Sequence, residues 1–165
     1  MIPRVLIVIK LWFFFDRFLN KKMTAIGACI GAIVGLVAIT PAAGFVTLGQ
    51  SVFIGFVSAI VSNISIGRIR KTNIDDTLDV FPSHGIGGIM GMLLTAIFAK
   101  EVGLIYGQIE TLIFHLVAII ITIIFTMLMS YLIYKFVNIV IPLRVREDQE
   151  AVSYTHLRAH ETSNH

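Results

Sequence analysis

The chain has 165 residues, 56% of them apolar and 14% charged, with a mean hydropathy of +0.88. Water-soluble domains are about 45–50% apolar and about 25% charged, so charges this sparse cannot cover a water-facing surface and lipid must be the solvent for much of the chain. The single cysteine, Cys29, excludes a disulfide framework and a cysteine metal site, and the net charge of +3 lies in short clusters between apolar runs, a pattern of membrane orientation rather than nucleic-acid binding.

The first apolar run, residues 5–15, contains Lys10 and lacks a small-residue cleavage site, so it is not read as a signal peptide. It is too short to span and is expected to be the cut end of a helix, with residues 1–22 forming that end and a basic loop. Four further runs reach the range of about 17–25 apolar residues needed to cross a bilayer. They are 23–39, 50–66, 80–99 and 112–143. The first stops at Thr40-Pro41, a helix-end turn where proline discourages continuation. The last exceeds a straight span and is expected to tilt or project. The predicted fold is all-α, a polytopic transmembrane helical bundle.

Arg17, Lys21 and Lys22 precede the first span, and Arg68, Arg70 and Lys71 follow the second. Arg144 and Arg146 follow the fourth, the connection after Thr40 is uncharged, and Lys100 and Glu101 cancel. Positive charge marks the cytoplasmic side, so a multi-pass protein of the cell (inner or plasma) membrane with a cytoplasmic C-terminus is expected. Gly27, Gly31 and Gly35, then Ser51, Gly55 and Ala59, then Gly87 and Gly91 with Gly85 and Gly88 beside them, repeat at helical spacing. Small residues on one face let helix backbones approach closely in lipid, so a tight bundle is predicted.

The stretch from Asn73 to Gly91 carries the chemistry. Asp75, Asp76 and Asp79 precede an apolar helix, where carboxylates favour the helix N-terminus. Asp79 is the predicted N-cap, and Pro82 then falls in the first turn, where its missing N–H costs little. Capping and pairing with Arg68, Arg70 or Lys71 is favoured over a metal cluster. His84 lies about 7–8 Å along the helix axis from Asp79. An ionisable residue within a span faces the bundle interior or a cavity and is a functional candidate. Gly87, Gly88 and Gly91 leave room beside its ring. A proton-relaying imidazole and a packed histidine bonded to a carbonyl fit the spacing equally. Ser83, adjacent in sequence, is expected to point elsewhere on the helix. His115, with no acidic partner three or four residues away, reads as an interfacial or packing histidine.

Asp75-Asp76, Asp79-Val80-Phe81, His84-Gly85 and Gly88 together resemble the tenth-helix signature of the ammonium transporter (Amt/Mep/Rh) family. The block from Gly31 to Gly44 resembles its eighth helix and following turn, and Leu143-Arg144-Val145-Arg146 the start of its cytoplasmic tail. The blocks keep the family order from Trp12 to Glu150. The resemblance implies the C-terminal half of an eleven-helix fold, from the end of helix seven to helix eleven. It implies ammonium or ammonia as the substrate, a trimer, and regulation by a PII-type signalling protein on the cytoplasmic face. His84 matches one of two facing pore histidines, and the other belongs to a helix outside this chain. Pro82-Ser83 replaces the more familiar Gly-Val before that histidine, and Ile30 stands where many members have serine.

The leading expectation is thus a transporter fragment passing ammonium through a histidine-lined apolar pore, with no cofactor and no metal. A membrane ammonium sensor and a structural fragment without activity are the alternatives. An intramembrane enzyme would need a nucleophile or metal ligands beside His84, which the sequence does not supply. The tail, residues 151–165, breaks every pattern. It resembles translated sequencing-adapter read-through, the other readings being a disordered tail and, least favoured, a metal site at His156 and His160.

Overall fold

A computed structural model describes residues 25–72 and 74–141. The run 5–15, the basic residues Arg17, Lys21, Lys22, Arg144 and Arg146, and the tail at 151–165 lie outside the described residues. Helix α1 spans Ala25–Ile39 and α2 spans Leu48–Ile69. A π-helical segment, Phe81–Ile86, runs directly into α3, Gly87–Phe98. A short 3-10 turn, Leu104–Tyr106, then leads to α4, Ile109–Val140.

The chain divides into two compact units at Ile120. In the first, α1, α2 and α3 all pack against one another. One core cluster joins Ile30 and Val34 of α1 to Ala59 and Ile66 of α2. A second joins Ala38, Ile39 and Ala42 to Ile54 of α2 and Leu94 of α3. Phe53 and Phe98 meet edge to face with centroids 5.6 Å apart. In lipid, apolar burial does not drive such pairing; close packing and interhelical hydrogen bonds do. The buried face of α2 accordingly carries Ser51, Gly55, Ser58, Ala59 and Ser62. The second unit contains α4 from Ile121 onward, where every described residue except Val137 is exposed.

The helix ends have local causes. α2 starts ahead of the expected residue 50 because Thr47 and Gln50 form a capping box, with the Thr47 N–H donating to Gln50 Oε1 at 2.7 Å. It continues past residue 66 to place Arg68 in its last turn, where a cation favours the carbonyl end. α1 stops at Ile39, and Thr40 Oγ1 donates back to Leu36 O at 2.7 Å while Pro41 opens the turn. Gly44 closes that turn at φ +91°. The Lys100 N–H donates to Phe45 O at 2.8 Å, so the connection after α1 and the one after α3 meet at one end of the bundle. Arg68, Arg70 and Lys71 leave α2 at the other.

Three described helices, Leu48–Ile69, Phe81–Phe98 and Ile109–Val140, are long and apolar enough to cross a membrane. The described part of α1 has 15 residues, and the remaining two of its expected span, Met23 and Thr24, lie outside the described residues.

Candidate functional site

The segment between α2 and α3 starts from a salt bridge. Arg70, one residue past α2, donates Nε to Asp79 Oδ1 at 3.2 Å and Nη2 to Oδ2, a bidentate grip. The Asp79 side chain is 3% exposed and that of Arg70 63%, so the carboxylate is the buried partner. Asp79 also adopts φ +52°, a left-handed conformation that aspartate and asparagine tolerate better than other non-glycine residues.

These two facts correct the expected cap. With its carboxylate taken by Arg70 and its backbone turned left-handed, Asp79 is not the side-chain cap. Asp76 fills that role: Oδ1 accepts the Val80 N–H at 2.8 Å and Oδ2 the Phe81 N–H at 2.9 Å. Asp75 accepts the Thr77 hydroxyl at 2.9 Å. The three carboxylates therefore divide into a pair, a cap and a turn bond, and among the described residues no group of three or more metal-ligand side chains comes together.

The double role of Asp79 has a measurable consequence. Asp79→Asn tolerates the left-handed backbone and keeps one acceptor, but its amide NH2 cannot accept from the guanidinium, so the charge and one of the two bonds are lost, about 1.5–3 kcal/mol. Asp79→Val also places a β-branched residue at positive φ, adding about 1–3 kcal/mol of strain. Thermal unfolding in detergent should rank wild type above Asp79→Asn, and Asp79→Asn above Asp79→Val. Equal midpoints for the two variants would remove the backbone argument.

Past Asp79 the helix opens as a π-turn. The Gly87 N–H reaches back to Pro82 O, five residues away, and also to His84 O. Pro82 has no N–H to offer, and its carbonyl additionally accepts Ser62 Oγ of α2 at 2.8 Å in a buried contact. Single π-turns of this kind occur mostly inside helices and often at functional sites. His84 sits in the turn with its side chain exposed. Its Nδ1 lies 3.1 Å from Ser83 Oγ. This corrects the expectation that Ser83 points away from His84: the wider π winding leaves the two neighbours in contact.

The glycines around His84 do different things. A Cβ on Gly85 would lie 3.0 Å from the Phe81 ring. Gly87 and Gly88 face Val34 and Val37 methyls of α1 at 3.6 Å, an ordinary contact distance. Gly91 faces backbone: a Cβ there would lie 2.8 Å from Ala38 Cα. Gly27, Gly31 and Gly35 are buried along α1. His115, the other described histidine, donates Nδ1–H to Thr111 O of its own helix at 2.8 Å.

Sequence reasoning misses the tie from Ser62 to Pro82; it places Asp75, Asp76 and Asp79 at the helix start as cap candidates but prefers Asp79 where the structure uses Asp76. The tie is signalled by a serine on the small-residue face of an apolar helix, since a hydroxyl there must find an acceptor within the bundle.

The model of the Ammonium Transporter Family matches residues 7–164. An ammonium transporter of Bacillus subtilis (strain 168) is 40% identical over 149 residues, covering 86% of this chain and 37% of that protein. One from Aquifex aeolicus (strain VF5) is 37% identical over 145 residues, covering 84% and 34%. The chain thus spans about a third of the length of these relatives. Among solved structures, Saccharomyces cerevisiae Mep2 superposes with a TM-score of 0.79 at 30% identity, over 88% of this chain and 36% of that one. Candida albicans Mep2 does so with the same score at 29% identity, over 88% and 35%. Together with the apolar helices, these matches mark a multi-pass membrane protein, and the chain belongs to the ammonium transporter family.

Proposed function

We propose that this chain is the C-terminal part of a transporter that moves ammonium or ammonia across a membrane, with His84 lining a narrow apolar conduction path. The observation that carries the reading is His84 itself: an exposed imidazole on a π-turn, at the head of an apolar helix whose start is fixed by Asp76, Arg70–Asp79 and Ser62. A bare cation in an apolar passage is costly, so ammonium gives up a proton at the mouth and crosses as ammonia. An imidazole then either hydrogen-bonds the passing molecule or relays the proton. A second histidine, supplied by a helix outside this chain, completes the pair.

In this reading the end of the bundle bearing Arg68, Arg70 and Lys71 faces the cytoplasm of the cell membrane, as does the C-terminus. The intact protein is a trimer, and a PII-type signalling protein is the candidate regulator of its cytoplasmic face. Family membership favours transport over a sensor or an inert fragment.

The test uses the complete chain that contains this segment, expressed in a host stripped of its own ammonium transporters. Concentration-dependent ammonium uptake into cells or proteoliposomes is expected. Specific ammonium binding without flux would support the sensor instead, and neither binding nor flux from correctly inserted protein would overturn the assignment.

A further inference from the structure

Pro82 and Ser83 of the π-turn are buried against the bundle, while Phe81 and His84 are exposed on the side that α1 and α2 leave open. Phe81, 58% exposed, is the large apolar side chain of that open side. It precedes His84 by three residues, so the two lie within about 4.5 Å of each other along the axis. It stands on the side of His84 that leads to Arg68 and Lys71, the cytoplasmic side in the proposed orientation. The residue is held at both ends. Its N–H donates to Asp76 Oδ2 at 2.9 Å, which fixes the backbone. Its ring rests on Gly85, where a Cβ would lie 3.0 Å from Cδ2 and 3.2 Å from Cε2. A Cβ tilts toward the helix N-terminus, so one at position 85 would point back into the ring. We propose that Phe81 is a specificity-determining residue. Its ring is an apolar stop on the cytoplasmic side of His84 that passes ammonia and turns back water and hydrated cations, and Gly85 is the positioning residue that seats it.

The chemistry of the ring sets what it rejects. A phenyl group has no hydrogen-bond donor and no lone pair, so it cannot replace the water a cation must shed to pass. The attraction of a bare cation to an aromatic face is small beside that dehydration cost. Ammonia is neutral and loses far less. The two histidines face each other across the path, one of them supplied by a helix outside this chain, and they give the passing molecule polar partners. Phe81 gives it none and lies to one side of that pair, so the two act in series. By keeping cytoplasmic water off the pair, the ring also preserves the dry surroundings in which a hydrogen bond is strongest.

This proposal rests on the transport reading, and its test separates the two. The complete protein is reconstituted in proteoliposomes, and entry of ammonium and of rubidium, a tracer for potassium, is measured side by side. The wild type is expected to pass ammonium and exclude rubidium. Phe81→Ala should keep ammonium entry and raise rubidium entry several-fold, and Phe81→Leu, which keeps apolar bulk without the ring, should fall between. Gly85→Ala displaces the ring with Phe81 still present, so it should admit rubidium as well. Added to Phe81→Ala it should change nothing further, a pattern that a general loss of packing does not give. Unfolding midpoints in detergent identify the variants that are folded. Rubidium exclusion at the wild-type level in folded Phe81→Leu and Phe81→Ala would overturn the role of the ring. A further rise in rubidium entry when Gly85→Ala is added to Phe81→Ala would overturn that of Gly85. A correctly inserted wild type that passes no ammonium would instead overturn the transport reading.

Discussion

Replacing His84 with alanine in the complete protein is expected to lower ammonium uptake roughly tenfold or more, with protein level and membrane insertion unchanged. The magnitude comes from removing, in the proposed apolar path, one hydrogen-bond partner of the passing molecule, a loss of about 1–3 kcal/mol at about 1.4 kcal/mol per factor of ten. Stability should suffer little, because the side chain is exposed and losing its bond to Ser83 leaves no buried donor stranded. His84→Gln separates the two chemical roles open to the imidazole. Glutamine offers an acceptor oxygen but cannot carry a proton. If hydrogen bonding suffices, His84→Gln should recover much of the uptake lost in His84→Ala. If protons are relayed, the two variants should be equally slow. Uptake by His84→Ala at the wild-type rate would remove His84 from the conduction path altogether.

Much of this arrangement is legible in the order of the amino acids, for definable reasons. The existence of the helices follows from apolar run length, a signal that lipid makes unusually clean because every backbone group must be satisfied within a helix. The pairing of an aspartate with Arg70 and the interest of His84 follow from ionisable residues standing at the edge of, or inside, an apolar run. The division of labour among Asp75, Asp76 and Asp79 is not legible in the same way. Any of the three can cap, and the choice depends on which one the chain reversal brings to Arg70. Once Asp79 is buried against that guanidinium at positive φ, the cap passes to Asp76. The π-turn is hidden for a similar reason. Pro82 in the first turn is compatible with an ordinary helix start, and only the tie from Ser62 to its carbonyl, a contact between residues 20 apart, shows how the turn is held. The contact between Ser83 and His84 depends in turn on that winding, because an α-helical register places the two apart.

The small-residue stripes predict close approach along the helices, and among the α3 glycines Gly87, Gly88 and Gly91 geometry concentrates the requirement at the last. Gly91→Ala puts a methyl group 2.8 Å from Ala38 Cα and 2.9 Å from Ala38 C, both backbone atoms of α1 that cannot rotate aside. The helices must separate, and the second core cluster, where Leu94 meets Ala38, Ile39, Ala42 and Ile54, must open with them. Forcing an extra carbon into a packed core costs about 1–3 kcal/mol, and rigid neighbours place Gly91→Ala toward the top of that range despite alanine's better helix propensity. Gly88→Ala is the matched control, because its added methyl meets only Val37 Cγ1, at 3.6 Å. The unfolding midpoint in mild detergent should drop for Gly91→Ala and stay level or rise for Gly88→Ala. The same pair tests the link between packing and chemistry. α3 continues without a break from the π-turn, so a displacement of α3 at Gly91 carries the His84 turn with it, and uptake should fall in Gly91→Ala. Equal behaviour of the two alanine variants would show that the α1–α3 separation is not set at Gly91 and that the glycine stripe acts as a continuous surface.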